Sequence, residues 1–289
     1  MRQGVSRLYL GRRLAQLWVM GPRTVRRHDP GLLGTLRGRT LRSVGRHGKY
    51  LLFGWDDGQV LVVHLRMSGQ LLAAQEGDPL LLHTHAVLQF LGAGELRFVD
   101  PRTFGELFVA GMGKAAQGNG QPRPGGDEPY APVGGEAKGL ALPLELAALG
   151  PDALDVGPGD LAAALAGRRA PLKALLLDQR ALAGIGNIYA DEICFRARLR
   201  PDRPAGSLRP AELRRLAAAT HTVLSEAIAA GGSTLSDQRY RDVLGAAGTY
   251  QLEHKVYGRV GQPCTSCGRP VERMRIGARS AYFCRRCQR

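Results

Sequence analysis

The sequence predicts an α+β multidomain protein: an N-terminal antiparallel β-sandwich over residues 1–150, a mostly helical domain over 151–248 and a C-terminal zinc finger on a β-hairpin over 249–289. Three observations carry that prediction. Up to about Val109, apolar and polar residues alternate in short runs broken by Gly, Asp and Pro, the period of half-buried strands. After Leu140 the apolar residues take helical spacing instead. The chain then closes on four cysteines arranged as two knuckles, Cys264-Thr-Ser-Cys267 and Cys284-Arg-Arg-Cys287. A length of 289 residues with 44% hydrophobic content is enough for two cored domains and a small appendage.

In chain order, Leu51 to Trp55, Val60 to His64, Ala86 to Phe90 and Leu96 to Val99 are expected strands. Asp56-Asp57-Gly58 and Gly92-Ala93-Gly94 supply the hairpin turns between them. His64 ends its strand and is expected to be structural. Residues 111–139 are rich in Gly and Pro with few large apolar side chains, so a mobile surface loop is expected there. Helices are expected over Leu161 to Leu165, Leu172 to Leu177, Ile188 to Phe195 and about Pro210 to Ala230. Between the second and third of these lies Leu182-Ala183-Gly184-Ile185-Gly186-Asn187, two glycines and an asparagine at a helix start. Such a turn can face backbone N–H groups outward, as an anion site requires, or be an ordinary Gly-rich turn with an Asn cap. Cys194, on a helix among apolar neighbours, is expected to be an inert core thiol.

The net charge of +15 and pI near 10.3 favour a polyanionic partner, nucleic acid first. A merely basic surface is the competing account. A membrane surface is disfavoured because the basic residues are scattered, and no apolar run reaches spanning length. Arg2, Arg7, Arg12 and Arg13 precede only the short run Leu14 to Met20, so no signal-peptide core is read and a cytoplasmic protein with reduced thiols is expected. Under those conditions the cysteine knuckles read as a zinc site rather than as disulfides. Two residues between thiolates let one tight turn present both sulfurs to one ion. With all four ligand positions cysteine, none is left open for water, and the zinc is structural.

Several segments taken together resemble one family: Gly48-Lys49-Tyr50-Leu51, His64-Leu65-Arg66-Met67-Ser68-Gly69, Asp100-Pro101-Arg102-Thr103-Phe104-Gly105, Gly184-Ile185-Gly186-Asn187-Ile188-Tyr189-Ala190-Asp191-Glu192 and Val256-Tyr257-Gly258-Arg259 before the zinc ribbon. In this order, from about Gly4 to Gln288, they are similar to the formamidopyrimidine-DNA glycosylase and endonuclease VIII family of base-excision repair enzymes. The resemblance implies that the helical domain is a helix-two-turns-helix domain and that duplex DNA carrying an oxidised base or an abasic site is the partner. It also implies a monomer that associates with the nucleoid when bound to DNA. Lys49 matches the family's lysine beside the lesion, and Asn187 and Arg279 match its phosphate-binding asparagine and zinc-finger arginine. Met67, Arg102 and Phe104 match the trio that fills the gap left by an extruded base. His83, Arg168, Arg169, Lys173 and Tyr257 fall where the family contacts DNA. The trio and the segment Leu235 to Gln251, long enough for a cap over an extruded base, resemble the formamidopyrimidine branch, which implies 8-oxoguanine and formamidopyrimidines as substrates.

The chain departs from the family at its start. The family's catalysis depends on an N-terminal proline followed by glutamate, the amine attacking C1′ of the damaged nucleotide and the carboxylate shuttling protons. Here Met1-Arg2-Gln3-Gly4 stands instead, and alignment of Gly11-Arg12-Arg13-Leu14 places Met1 partway along the family's first helix. The expectation is a natural start upstream that supplies Pro-Glu, with Lys49 and Arg279 supporting catalysis; a truncated paralogue is the rival. A catalytically inactive protein that binds lesions or abasic sites is the alternative function. A zinc-ribbon RNA or transcription protein would explain charge and cysteines but not the turn motifs.

Overall fold

The computed structural model describes residues 1–110, 142–235 and 240–289, so the expected loop at 111–139 and part of the expected cap lie outside the described residues. The chain forms two compact units, Met1–Ala147 with Thr234–Gly248, and Ala148–Ser233 with Thr249–Arg289.

The first unit holds a helix and two antiparallel four-stranded sheets. Helix α1 is Arg2–Tyr9, and the strands are β1 (Leu14–Val19), β2 (Leu41–His47), β3 (Tyr50–Trp55), β4 (Val60–His64), β5 (Gln70–Ala74), β6 (Thr84–Phe90), β7 (Gly94–Val99) and β8 (Glu106–Ala110). One sheet runs β1-β6-β7-β5 and the other β2-β3-β4-β8. The four strands read from the alternation are β3, β4, β6 and β7. Strands β1, β2, β5 and β8 lie outside that reading; β1 and β2 each carry an irregularity in the ladder, between Leu14 and Gln16 and between Leu41 and Ser43, which breaks the period of two. Leu51, Phe53 and Trp55 of β3, Leu61 and Val63 of β4, and Leu107 and Val109 of β8 face one common core. Helix α1 contributes Val5 and Tyr9 to that core from one helical face. The Tyr9 hydroxyl donates to the Glu95 carbonyl at 2.6 Å, which satisfies its polar end inside the core. Residues 240–248 belong to this unit. Val243 is buried in the same core, and its carbonyl accepts from the Ala73 N–H of β5 at 2.8 Å.

The second unit is helical with a terminal hairpin: α2 (Pro158–Leu165), α3 (Leu172–Leu177), α4 (Asn187–Arg196), α5 (Pro210–Ala229), β9 (Glu272–Ile276) and β10 (Arg279–Phe283). All four helices expected from the spacing are present. Helix α5 begins as the sequence demands, with proline in its first turn and the Glu212 carboxylate reaching back to the Arg209 N–H at 2.9 Å. Leu161, Leu172, Leu176, Ile185, Ile193, Leu216 and Val223 share one buried cluster, with Cys194 fully buried beside them. Burial pushes the Cys194 thiol far up, so it is un-ionised and inert, as expected. No helix among the described residues is long and apolar enough to cross a membrane.

Candidate nucleic-acid interface and metal centre

In the first unit, the motif residues gather on turns at strand ends. Met67 lies in the β4–β5 turn and Phe104 in the β7–β8 turn; they are 65% and 44% exposed, although a core would accept either. The Arg102 guanidinium sits 4.7 Å from the Phe104 ring centroid, so the two form one projecting unit. His83 immediately precedes β6. The backbone here is held in an unusual conformation: Arg66, His83 and Thr103 have φ of 53°, 66° and 54°, and they are three of only four non-glycine residues with positive φ among the described residues. Two motif glycines are there for space. A Cβ on Gly69 would come within 2.5 Å of the Leu65 carbonyl oxygen, and one on Gly105 within 2.5 Å of the Phe98 ring.

Lys49 occupies the exposed turn between β2 and β3, where Gly48 at φ 56° allows the reversal. Nearby, His64 is buried and accepts a hydrogen bond at Nδ1 from the Arg66 N–H at 2.9 Å. Burial, with the Arg66 and Lys49 cations adding to it, brings the His64 pKa down to about 4. It is therefore a neutral acceptor, the structural role expected. Glu106 pairs with Arg27 at 3.1 Å and Arg66 at 3.3 Å. Burial opposes its ionisation, but the Arg27 hydrogen bond and the two guanidinium charges together hold it below the usual carboxylate range. Lys49, Arg66 and Arg27 against one carboxylate leave this corner positive, which suits a phosphate.

In the second unit, Asn187 opens α4 after a turn pinned by Gln179. The Gln179 amide donates to the carbonyls of Leu177 at 3.0 Å and Ile185 at 3.1 Å, and its oxygen accepts from the Gly184 N–H at 2.9 Å. Gly184, at φ 116°, takes a conformation closed to other residues. The helix start carries no side-chain cap, and the half-buried Asn187 has an Oδ1 shielded from solvent with no partner in the chain. The uncapped backbone N–H groups of the helix start thus remain available to an anion. Arg168 and Arg169, between α2 and α3, are both exposed.

Lys173 requires a correction. Its side chain is fully buried, with Nζ 2.8 Å and 2.9 Å from the two Asp191 oxygens and donating to the Ser280 carbonyl at 2.5 Å. An ammonium so enclosed cannot reach a DNA phosphate; it joins α3, α4 and β10. Arg279 stands next to Ser280, exposed at the start of β10, and its charge acts on Lys173. Asn187 lies one helical turn before Asp191, on the same face of α4.

Glu192 closes the motif that begins at Gly184. Its buried carboxylate accepts from three consecutive backbone N–H groups, Lys255 at 2.9 Å, Val256 at 3.0 Å and Tyr257 at 2.8 Å. Tyr257 is thereby held edge-on between His254 and Tyr282, at ring-centroid distances of 5.6 Å and 5.2 Å. The sequence signal for this is two adjacent acids, Asp191 and Glu192, within an otherwise apolar helical run.

The sulfurs of Cys264, Cys267, Cys284 and Cys287 all lie within 4.8 Å of one another. Cys264 to Cys287 is 3.8 Å and Cys267 to Cys284 is 3.5 Å, too far apart for disulfides. The edge of a tetrahedron with zinc–sulfur bonds of 2.3 Å is about 3.8 Å, so the donor set fits one structural zinc. The β9–β10 hairpin bridges the knuckles, pairing Arg279 with Ile276 through Phe283 with Glu272, so the zinc anchors the strand that presents Arg279.

A β-sandwich with an apolar and arginine wedge on its turns, a helical unit with an open asparagine helix start and a four-cysteine hairpin define a zinc-finger DNA-binding protein. The chain matches the formamidopyrimidine-DNA glycosylase N-terminal domain over residues 1–107, the helix-two-turns-helix domain of the same glycosylase over 149–239 and the zinc finger found in that glycosylase and in IleRS over 261–289. It is 41% identical to the formamidopyrimidine-DNA glycosylase of Salinispora arenicola over 99% of this chain and 93% of the relative. Identity to the Thermus thermophilus glycosylase is 42%, over 99% of this chain and 95% of the relative. The crystal structure of the Thermus thermophilus protein superposes with a TM-score of 0.80 at 40% identity, covering 99% of this chain and 95% of that one. A Lactococcus lactis structure containing abasic-site DNA gives 0.82 at 27% identity, covering 99% and 96%. The chain belongs to the formamidopyrimidine-DNA glycosylase family.

Proposed function

We propose that this protein is a base-excision-repair DNA glycosylase and abasic-site lyase that removes oxidised purines, 8-oxoguanine and formamidopyrimidines, from duplex DNA. The observation that carries this reading is the set of exposed Met67 and Phe104 with half-buried Arg102 on turns of strained backbone beside the cationic corner of Lys49. Apolar side chains held at turn tips are the means of wedging into a stack and occupying the space of an extruded base, while the arginine meets the orphaned partner. Lys49 holds a flanking phosphate and assists elimination; Asn187 and Arg279 grip the strand around the lesion, with Arg168, Arg169, His83 and Tyr257 adding contacts. Lactococcus lactis relatives bound to abasic-site DNA and to Fapy-dG DNA support the substrate class.

In the family's chemistry a secondary amine attacks C1′, the base leaves, and the resulting iminium eases β- and then δ-elimination of the phosphates. The protein acts as a monomer in the cytoplasm, bound to nucleoid DNA. A second reading, a lesion or abasic-site binder without chemistry, keeps the same turn residues and phosphate contacts. Borohydride trapping of the protein purified from its own organism separates the two. A covalent adduct with abasic duplex, and excision of 8-oxoguanine in preference to an oxidised pyrimidine, are expected. Tight binding with no adduct would establish the binder.

A further inference from the structure

The turns bearing Met67, His83, Arg102 and Phe104 are joined through one residue, and we infer that Asp100 is the positioning residue that aims the wedge during base extrusion. This deepens the proposed function and rests on it. Asp100 is fully buried at the end of β7. Its Oδ1 accepts from the Ser68 hydroxyl at 2.5 Å and from the Arg102 N–H at 3.2 Å, and its Oδ2 accepts from the Gly105 N–H at 2.7 Å. Its own N–H donates to the His83 carbonyl at 3.0 Å, and its carbonyl accepts from His85 Nε2 at 2.8 Å and the Thr103 N–H at 3.2 Å. Ser68 follows Met67 and Gly105 follows Phe104, so one residue holds all four candidate DNA-reading positions by main-chain or adjacent contacts.

Two physical features set this apart from ordinary turn capping. Among the described residues, no lysine or arginine pairs with the Asp100 carboxylate; its charge is met only by O–H and N–H dipoles. A buried carboxylate is tolerated on those terms only when every donor is in place, which makes the cluster behave as a unit. The clamp also spans Thr103, a β-branched residue at φ 54°, with bonds to Asp100 from Arg102, Thr103 and Gly105. A conformation that unfavourable persists only where the surroundings over-determine it, and such strain collects where geometry must be exact for function. The Ser68 link makes the β4–β5 and β7–β8 turns one rigid body, so Met67 and Phe104 enter the duplex together.

The test uses duplexes carrying 2-aminopurine beside 8-oxoguanine, whose fluorescence reports unstacking whether or not chemistry follows. Ser68→Ala, which cuts only the link to Met67, and Asp100→Asn are expected to slow the fluorescence rise about tenfold. Affinity for an abasic-site duplex, where no base must be extruded, should change less than about threefold. Equal losses in extrusion and in abasic-site affinity, or no slowing in either variant, would overturn the positioning role. Met67→Ala separates this from the wedge itself. If Met67→Ala slows extrusion and Ser68→Ala does not, the Asp100 inference alone fails; if Met67→Ala extrudes at the wild-type rate, the wedge reading fails with it.

Discussion

The buried pair of Lys173 and Asp191 allows the sharpest test of how the helical unit is built. Both side chains are fully enclosed, and the ammonium also serves the Ser280 carbonyl. Replacing Lys173 by methionine keeps the apolar stem and deletes the charge, leaving a buried carboxylate without its cation. Breaking a buried pair from one side costs about 3–5 kcal/mol, and the lost bond to Ser280 adds about 1 kcal/mol. A destabilisation of about 5 kcal/mol should lower the thermal midpoint by roughly 10–20 °C. Asp191 offers partial relief. Burial already pushes its pKa up to about 7 against the opposing Lys173 charge, and without that charge it moves higher. A folded-state pKa above the unfolded value means that the folded state binds the extra proton. The variant should therefore be most stable at low pH and lose stability as pH rises towards and beyond 7. The double variant Lys173→Met with Asp191→Leu removes both charges and should recover most of the loss. Urea and thermal unfolding at pH 5.5 and 8, beside the salt dependence of abasic-duplex binding, provide the readout. A DNA-contacting lysine would behave oppositely, with stability unchanged and the logarithmic salt slope reduced by about 0.9. That outcome would refute the buried role.

Cys284→Ser should abolish stoichiometric zinc and weaken abasic-duplex affinity at least as much as Arg279→Ala, because the hairpin presenting Arg279 loses its anchor; metal analysis beside binding isotherms checks this, and normal binding would contradict it. Glu192→Ala takes the acceptor from one buried and two part-buried N–H groups and should destabilise the protein by roughly 2–4 kcal/mol, read by denaturant unfolding. His64, held near 4 by burial against an ordinary value of 6.5, stays neutral in the folded protein while the unfolded chain takes a proton. Its contribution is full above pH 6.5 and falls by up to about 3 kcal/mol as pH drops to 4, so His64→Gln should flatten that part of the urea-midpoint profile.

Much of this protein was legible because the informative patterns are local. The short apolar runs Leu51 to Trp55 and Val60 to His64 read as buried strands whatever the partner strand is, and a doubled cysteine knuckle states its own chemistry. The turn motifs were legible for a related reason. Gly69 and Gly105 stand where no side chain fits, and Met67 and Phe104 beside them are displaced from any core. The ladder irregularities in β1 and β2 break the alternation there, since an extra residue shifts the side-chain period without changing the fold.

The tertiary structure decided where the charges go. By resemblance Lys173 falls among the DNA-contacting positions, and only the arrival of Ser280, 107 positions away, closes it in against Asp191. Glu192 finds its three N–H donors more than 60 positions on, and Asp100 reaches back 32 positions to Ser68. A periodic apolar pattern is a property of neighbouring residues, so the sequence alone determines it. The fate of a charged side chain depends on desolvation and on donors brought from distant segments, and those are properties of the folded chain.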